Sequence, residues 1–430
     1  MAKTLSVKDE SLIAVADSIR KKTGKTNKLN FPAEFVSEIE GITTGGGGSA
    51  PAVEVQPSDV NFFDYDGTLI AAYTEAQAKA LTELPTPPEH DGLVFQGWNY
   101  TLEEVIANAD AADVGALYTT DDGATRLEIE VLERRDIRVR FSQTKASGVV
   151  VNWGDGERDR SAAITGQTYA MHNYAEPGKY TITLTIDDDC DITLGSYSSN
   201  FVSIDSLGSN SAQNTLRRLY IGDRVVKIDK GAFVNHYALH SVSMHQGITA
   251  IAEECFKRSS IEFITIPSGI DAIPYSAFNT CRCLKNISIP VSVQNLATYS
   301  IFQCDTLNNL NLKNITNPQD SAVSGDNRIN KIVVNAGITY IPKYFCSDCI
   351  GLERVVFLGE VKLFYSGAIS GCYSLKSVDL THCISVPTLQ DTTIFSYIMS
   401  DLEILVPAAL ADEWKQETNW TRLADHIKGV

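Results

Sequence analysis

Basic residues are scarce in this chain: 36 Lys and Arg stand against 53 Asp and Glu over 430 residues, for a formal net charge of −17. That balance opposes nonspecific attraction to nucleic-acid phosphates and anionic lipid, so no nucleic-acid partner is expected. Long apolar runs are missing too. None approaches the roughly 18 residues of a membrane span, and no membrane insertion is expected. The opening MAKTLSVKDESLIAVADS lacks a basic region followed by a continuous apolar core, so work outside a cell would need a route other than a secretory signal. The seven histidines form no H-E-x-x-H motif, and no glycine-rich loop joins a strand to a helix. What is present is ample core material: 43 % hydrophobic and 21 % charged residues describe a folded chain of roughly two to four domains.

Composition and patterning divide the chain into six stretches. In residues 1–42, Leu12, Val15, Ala16 and Ile19 recur at helical spacing behind a Ser11 cap, and a second short helix is predicted over 32–39. Too small to bury much alone, this module is expected to dock on a partner or to self-associate. Residues 43–54, with four consecutive glycines, read as a flexible linker. Residues 55–125 alternate strand-like runs with Asp-Gly and Pro-Pro turns, and a helix is predicted around 101–112. In residues 126–195 the alternation of Leu127, Ile129 and Val131, and of Ile182, Leu184 and Ile186, predicts half-buried strands of one β-sandwich. Residues 196–213 read as a connector.

Residues 214–430 carry an internal repeat. Leu216, Leu239, Ile261, Leu284, Leu307, Ile329, Leu352, Leu375 and Leu402 follow one another at 22–23 residues, 27 at the last step. Apolar residues recur at +3 (Leu219 through Val378 to Leu405) and at +5 (Ile221 through Phe357 to Leu380). This pattern predicts a leucine-rich solenoid in which each unit supplies one strand and buries its face on its neighbours. A later apolar position is followed by an aromatic at Phe233, Phe256, Phe278, Phe302 and Phe345, and Trp414 and Trp420 are placed to close the open end. The repeat also explains the cysteines. Eight of the nine fall between Cys255 and Cys383, and Cys281, Cys304, Cys349 and Cys372 each precede an anchor by three residues, as stacked buried thiols would.

Four resemblances follow from these residues. SLIAVADSIRKKTGKTNKLNFPAEFVSEIEGI followed by glycines resembles the opening of bacteriophage tail and minor structural proteins. F-x-D-Y-D-G-T-L, Pro87-Pro88 and Phe95, Gly97 and Trp98 resemble the Listeria-Bacteroides repeat, a β-grasp-like module; the helical-looking TEAQAKALTEL before the prolines departs from it. Trp153-Gly154-Asp155-Gly156 with His172, Tyr174, Pro177, Gly178 and Tyr180 resembles the PKD family of immunoglobulin-like domains. ITAIAEECF, IDAIPYSAF and ITYIPKYF resemble BspA-type leucine-rich repeats.

Chemistry-bearing motifs are few. Asp64-Tyr65-Asp66-Gly67-Thr68 imitates a dehalogenase-type phosphatase nucleophile, with Asp121-Asp122 in the role of a magnesium pair. The roughly 60 residues before the sandwich are too few for the doubly wound sheet that chemistry needs, and Lys79 is the one lysine between Val55 and Glu130, so the run reads as a turn. Asp187, Asp188, Asp189 and Asp191 suit a solvated acidic turn or a calcium ion. Tyr220, Tyr237, Tyr275, Tyr299, Tyr340, Tyr344, Tyr365 and Tyr373 divide between core and a glycan-contacting face. No residue is assigned as catalytic, cofactor-binding or metal-binding, and no cofactor is expected.

The resemblances together imply a mainly β, multi-domain, non-enzymatic phage virion structural protein, a tail-associated fibre or adhesin on the particle exterior, made in the host cytoplasm. They imply contact with other virion proteins through residues 1–42, a homo-oligomer (a trimer), a stalk of two β modules, and contact with a bacterial surface protein or glycan through the solenoid. A phage head fibre or capsid decoration, and a bacterial cell-surface leucine-rich-repeat adhesin, are the alternatives. Residues 55–130 carry −13 and residues 214–430 only −1, so recognition by the solenoid would rest on shape, aromatic contact and hydrogen bonds.

Overall fold

A computed structural model describes residues 58–132, 136–195, 200–204, 215–308, 310–397 and 399–430. Contacts divide the chain into units 1–54 and 55–430. The expected helical module 1–42 and linker 43–54 lie outside the described residues, as does most of the 196–213 connector. The rest of this subsection concerns the second unit.

Its first part is a four-stranded mixed sheet. β1 (Val60–Phe63) and β2 (Leu69–Tyr73) form a hairpin. α1 (Glu75–Lys79) follows, then β3 (Leu93–Trp98), α2 (Leu102–Ala107) and β4 (Ala112–Thr120). The order is β2-β1-β4-β3, with β1 and β4 parallel and the outer pairs antiparallel. Thr74 and Thr101 start the two helices with full capping boxes to Gln77 and Glu104, each satisfying orphan N–H groups. α2 is shorter than the predicted 101–112 because Asn108 terminates it, its side chain donating to Glu104 O at 2.8 Å.

β5 (Thr125–Val131), β6 (Asp136–Gln143), β7 (Val149–Asn152), β8 (Arg158–Arg160), β9 (Gly166–Asn173), β10 (Gly178–Ile186), β11 (Ile192–Leu194) and β12 (Val202–Ile204) form two sheets around Leu127, Ile129, Val139, Phe141, Val151, Trp153, Ile182 and Leu184. Trp153 is fully buried; its indole N–H donates to Asp159 at 2.8 Å, and its carbonyl accepts from the buried Tyr174 hydroxyl at 2.8 Å.

Both sheets run on into the solenoid. β13 (Leu216–Tyr220) pairs antiparallel with β5 and parallel with Ser241–Ser243, while β11 pairs parallel with Val225–Ile228, which pairs with Ala250–Ile251. One hydrophobic cluster therefore extends from Leu117 to Ile427. The sandwich closes the first turn of the solenoid, which would otherwise expose a row of unpaired backbone groups.

The anchor, +3 and +5 positions are buried through Leu380. The last unit departs from the expected register: Ile404 pairs opposite Val378, Ile404 and Val406 are buried, and Leu405 is only half-buried. The spacing of 27 moves the inward phase by one residue, and a one-residue slip turns a side chain to the other face. Each unit also supplies more than one strand. A second set stacks as Ala272–Ile273, Asn295–Leu296 and Asn317–Pro318, then as Tyr340–Ile341, Leu363–Phe364 and Thr388–Leu389.

A third ladder holds successive turns together. The N–H groups of Phe233, Phe256, Phe278, Ile301, Val323, Cys346 and Ile369 donate to carbonyls one turn on. Phe302 and Phe345, expected in this column, stand one residue away from it, and Ile301 and Cys346 fill their places; Phe302 is half-buried against Tyr299. Two residues on either side of this column adopt left-handed backbone in each turn: Gly231, Glu254, Ser276, Tyr299, Ser321, Tyr344 and Gly367, and then Asn235, Arg258, Thr280, Gln303, Gly325, Asp348 and Gly371. Such conformations cost most residues roughly 1–2 kcal/mol, and the ladder they make possible recurs in every turn.

One residue beyond the second left-handed position lies a buried column: His236, Ser259, Cys281, Cys304, Asp326, Cys349 and Cys372. The thiols of Cys281, Cys304, Cys349 and Cys372 donate to the carbonyls of Phe256, Phe278, Val323 and Cys346 in the preceding turn. Burial pushes the Cys281 thiol up to about 12 and His236 down to about 4. Asp326 takes a thiol's place, and burial raises its carboxyl well above the usual range. At the far end Trp414 and Trp420 are fully buried with ring centroids 4.7 Å apart, and the Trp420 indole donates to Pro387 O.

Candidate functional site: the uncovered faces of the solenoid

The first β module does not stand apart as a stalk. β4 is buried along its whole length. Val114, Ala116 and Tyr118 face the module's own core, whereas Leu117 belongs to the solenoid cluster. Gly115 lies against Thr265, and a Cβ there would collide with the Thr265 side chain. Tyr118 N–H donates to Met244 O at 2.9 Å, Ser243 Oγ to Tyr118 O at 3.1 Å, and Ser288 Oγ to Asp113 O at 2.6 Å. Asn99 Nδ2 reaches Ile266 O and Ser288 Oγ, the Tyr100 hydroxyl reaches Ile289 O, and Phe63 packs on Phe263. The module therefore covers the outward strand face of the early turns, burying Ser243, Thr265 and Ser288.

Later turns keep that face open. Lys331, Arg354 and Glu403 are exposed, with Val333, Val356 and Leu405 half-buried beside them. Arg354 pairs with Asp379 at 3.2 Å. Elsewhere on the solenoid, Tyr237, Tyr275, Tyr340, Tyr344 and Tyr373 are exposed, whereas Tyr220, Tyr299 and Tyr365 are half-buried. Tyr397, which the repeat pattern does not single out, is 72 % exposed, and its ring lies 6.3 Å from that of Tyr373. Met399 and Ile350 are exposed as well. Tyr397 has left-handed backbone; the 26-residue step from Gly371 in the atypical last unit hides it from a 23-residue template.

The motifs with chemical potential are engaged locally. Asp64 is buried; its N–H donates to Thr68 O and its carboxylate contacts His90 Nε2 at 2.7 Å, while Asp66 accepts from Thr68 N–H. Gly67, at φ +89°, completes the turn. Asp121 and Asp122 hold Arg126 at 3.5 and 2.7 Å, and Lys79 pairs with Glu75 within α1. In the acidic loop the Lys145 ammonium lies 3.1 Å from Asp187 and 2.6 Å from Asp189, and Arg224 approaches Asp191. Eight cysteines are buried and Cys283 is exposed, all free. Among the described residues no group of three or more His, Cys, Asp or Glu is arranged to hold a metal ion, and no helix is long and apolar enough to cross a membrane.

Residues 196–284 and 271–398 match the BspA type leucine rich repeat region, in six copies. Over those residues the solenoid carries repeats of BspA type. A leucine rich cell surface protein from Faecalibacterium prausnitzii A2-165 aligns at 19 % identity over 49 % of this chain, with a TM-score of 0.32; the chain spans 62 % of that protein's length. A leucine-rich repeat protein from Bacteroides ovatus ATCC 8483 aligns at 18 % identity over 49 % of this chain and 76 % of its own, with a TM-score of 0.20. A pneumococcal vaccine antigen aligns at 14 % identity over 48 % of each chain, with a TM-score of 0.27. No curated protein matches the chain.

Proposed function

We propose that the chain is a non-enzymatic recognition protein, a phage tail-associated fibre or adhesin that contacts the bacterial surface through the uncovered faces of its BspA-type repeats. The observation that carries this reading is the set of tyrosines held exposed on a framework of stacked turns whose inward side chains are fully buried, Tyr373 and Tyr397 side by side among them. An aromatic ring with a polar tip on a rigid support gives large contact area at small entropic cost. Residues 1–42 would join the chain to other virion proteins and assemble it as a homo-oligomer, a trimer in the simplest case. The first two β modules, of Listeria-Bacteroides-repeat and PKD kind, would serve as a cover and an end cap for the solenoid.

A second reading, a bacterial cell-surface adhesin, is favoured by the repeats themselves, which span residues 196–398 and suit either setting. Immunogold labelling of a producing culture with antibody to the solenoid separates the two. Gold on purified phage particles supports the virion reading, and its position distinguishes tail from head. Gold on the cell envelope with bare particles replaces it with the second.

A further inference from the structure

A cleft of about 500 Å³ opens where the first β module, the sandwich and the first solenoid turn meet, within the about 300–1,000 Å³ usual for ligand sites. Each part contributes to its wall: Tyr65, His90 and Asp121 from the first module, Arg126 and Glu128 from β5 with Thr181 from β10, and Tyr220 from β13. The wall is braced from behind. Asp64, itself buried, holds His90 at 2.7 Å; the Tyr65 ring stands edge-on to His90 and Tyr118, and 6.1 Å from Tyr220. Tyr220 OH lies 3.4 Å from Glu128.

Two features define what would fit. Acceptors dominate: Asp91, Asp121 and Glu128 line the cleft beside the single guanidinium of Arg126, and this excess of carboxylates repels phosphate, sulfate or carboxylate ligands. The guanidinium is already engaged, with Arg126 Nη2 taken by Asp121 and Asp122. The second feature is aromatic: Tyr65 and Tyr220 both stand in the wall. The complementary ligand carries several hydroxyl donors for the carboxylates, no anionic group, and a C–H face for the tyrosines.

We propose that this cleft binds a neutral saccharide of one to three rings. The inference deepens the recognition reading and rests on it for the origin of the sugar alone, as part of a bacterial surface glycan.

The test is isothermal titration of the purified full-length chain with neutral mono- to trisaccharides of glucose, galactose, rhamnose and N-acetylglucosamine, with sialyllactose and spermidine as charged probes. Thr181 is exposed on β10, so Thr181→Trp fills the cleft without touching the core, and Tyr220→Phe with Glu128→Gln removes two polar contacts while preserving shape. At least one neutral saccharide should bind, with an affinity that changes less than about twofold between roughly 0.05 and 0.5 M salt. Thr181→Trp should weaken it about tenfold or more at unchanged melting temperature, and the double variant should weaken it too. Absence of neutral-sugar binding, an unaffected Thr181→Trp protein, or salt-sensitive binding of spermidine alone overturns the proposal. Sugar binding that responds to Thr181→Trp, in a chain that fails to bind cells, would leave the cleft standing and sink the adhesin reading. Cell binding by a chain whose cleft takes up no neutral saccharide would do the reverse.

Discussion

Asp326 is the one carboxylate in a column otherwise made of thiols, a hydroxyl and an imidazole, and its replacement has a definite consequence. It is fully buried; Oδ1 accepts the Cys304 N–H at 2.6 Å, and Oδ2 has no partner. Burial raises its carboxyl well above the ordinary range, so the folded protein holds a proton there that the unfolded chain, with a pKa near 3.9, releases. A raised folded pKa means that stability is fullest below the unfolded value and falls as pH climbs toward the folded one, by about 1.4 kcal/mol per pH unit for a single group. Asp326→Asn keeps the acceptor for Cys304 and removes the titration. Near pH 4 the two proteins should differ by no more than about 1 kcal/mol, the size of one hydrogen bond. With rising pH the variant should become progressively more stable than the wild type. Urea midpoints at pH 4, 5, 6 and 7, followed by circular dichroism of the solenoid, measure the gap. A gap that stays constant with pH, or a variant less stable at pH 7, would mean that Asp326 is not held protonated in the fold.

Three further predictions concern other parts of the frame. Ellman's reagent should label one thiol quickly in the native protein, Cys283, and nine after denaturation, since the other eight are buried; two or more fast thiols would contradict the column. Gly115→Val places a side chain on Thr265 and should lift the first module from the solenoid, raising hydrogen exchange at the Tyr118 amide, which donates to Met244 O, while leaving the 331–406 strands protected. Tyr174→Phe strips a buried hydroxyl from the Trp153 carbonyl and should cost about 1–3 kcal/mol, read as a lower melting temperature of the sandwich.

The repeat was legible because a 22–23-residue period of buried apolar residues is a linear signal, and it fails where the last unit changes length and Leu405 turns outward. The cysteine column was legible for the same reason. Asp326 was hidden in it because an acidic residue at that position reads as surface. The docking of β4 on the solenoid left no periodic trace: beside Leu117 and the Phe63–Phe263 pair, Ser243, Ser288, Asn99 and Gly115 make the contact, and small or polar side chains read as solvated until their partners are known. The left-handed corners escaped because Glu254, Arg258 and Thr280 occupy positions that glycine would have marked. The cleft draws on residues more than 150 positions apart, which no local pattern connects.

If exposed rings on the late turns make contact with a bacterial surface, their removal should release the chain from cells. The decisive measurement is the binding of fluorescently labelled full-length chain to intact cells from a panel of bacterial strains, wild type against the Tyr373→Ala/Tyr397→Ala double variant. Binding should be saturable on at least one strain, competed by unlabelled protein and weakened about tenfold or more by the double variant at unchanged melting temperature, as expected of two aromatic contacts at about 1 kcal/mol or more each. Equal binding by the two proteins, or no binding across the panel, would contradict that contact.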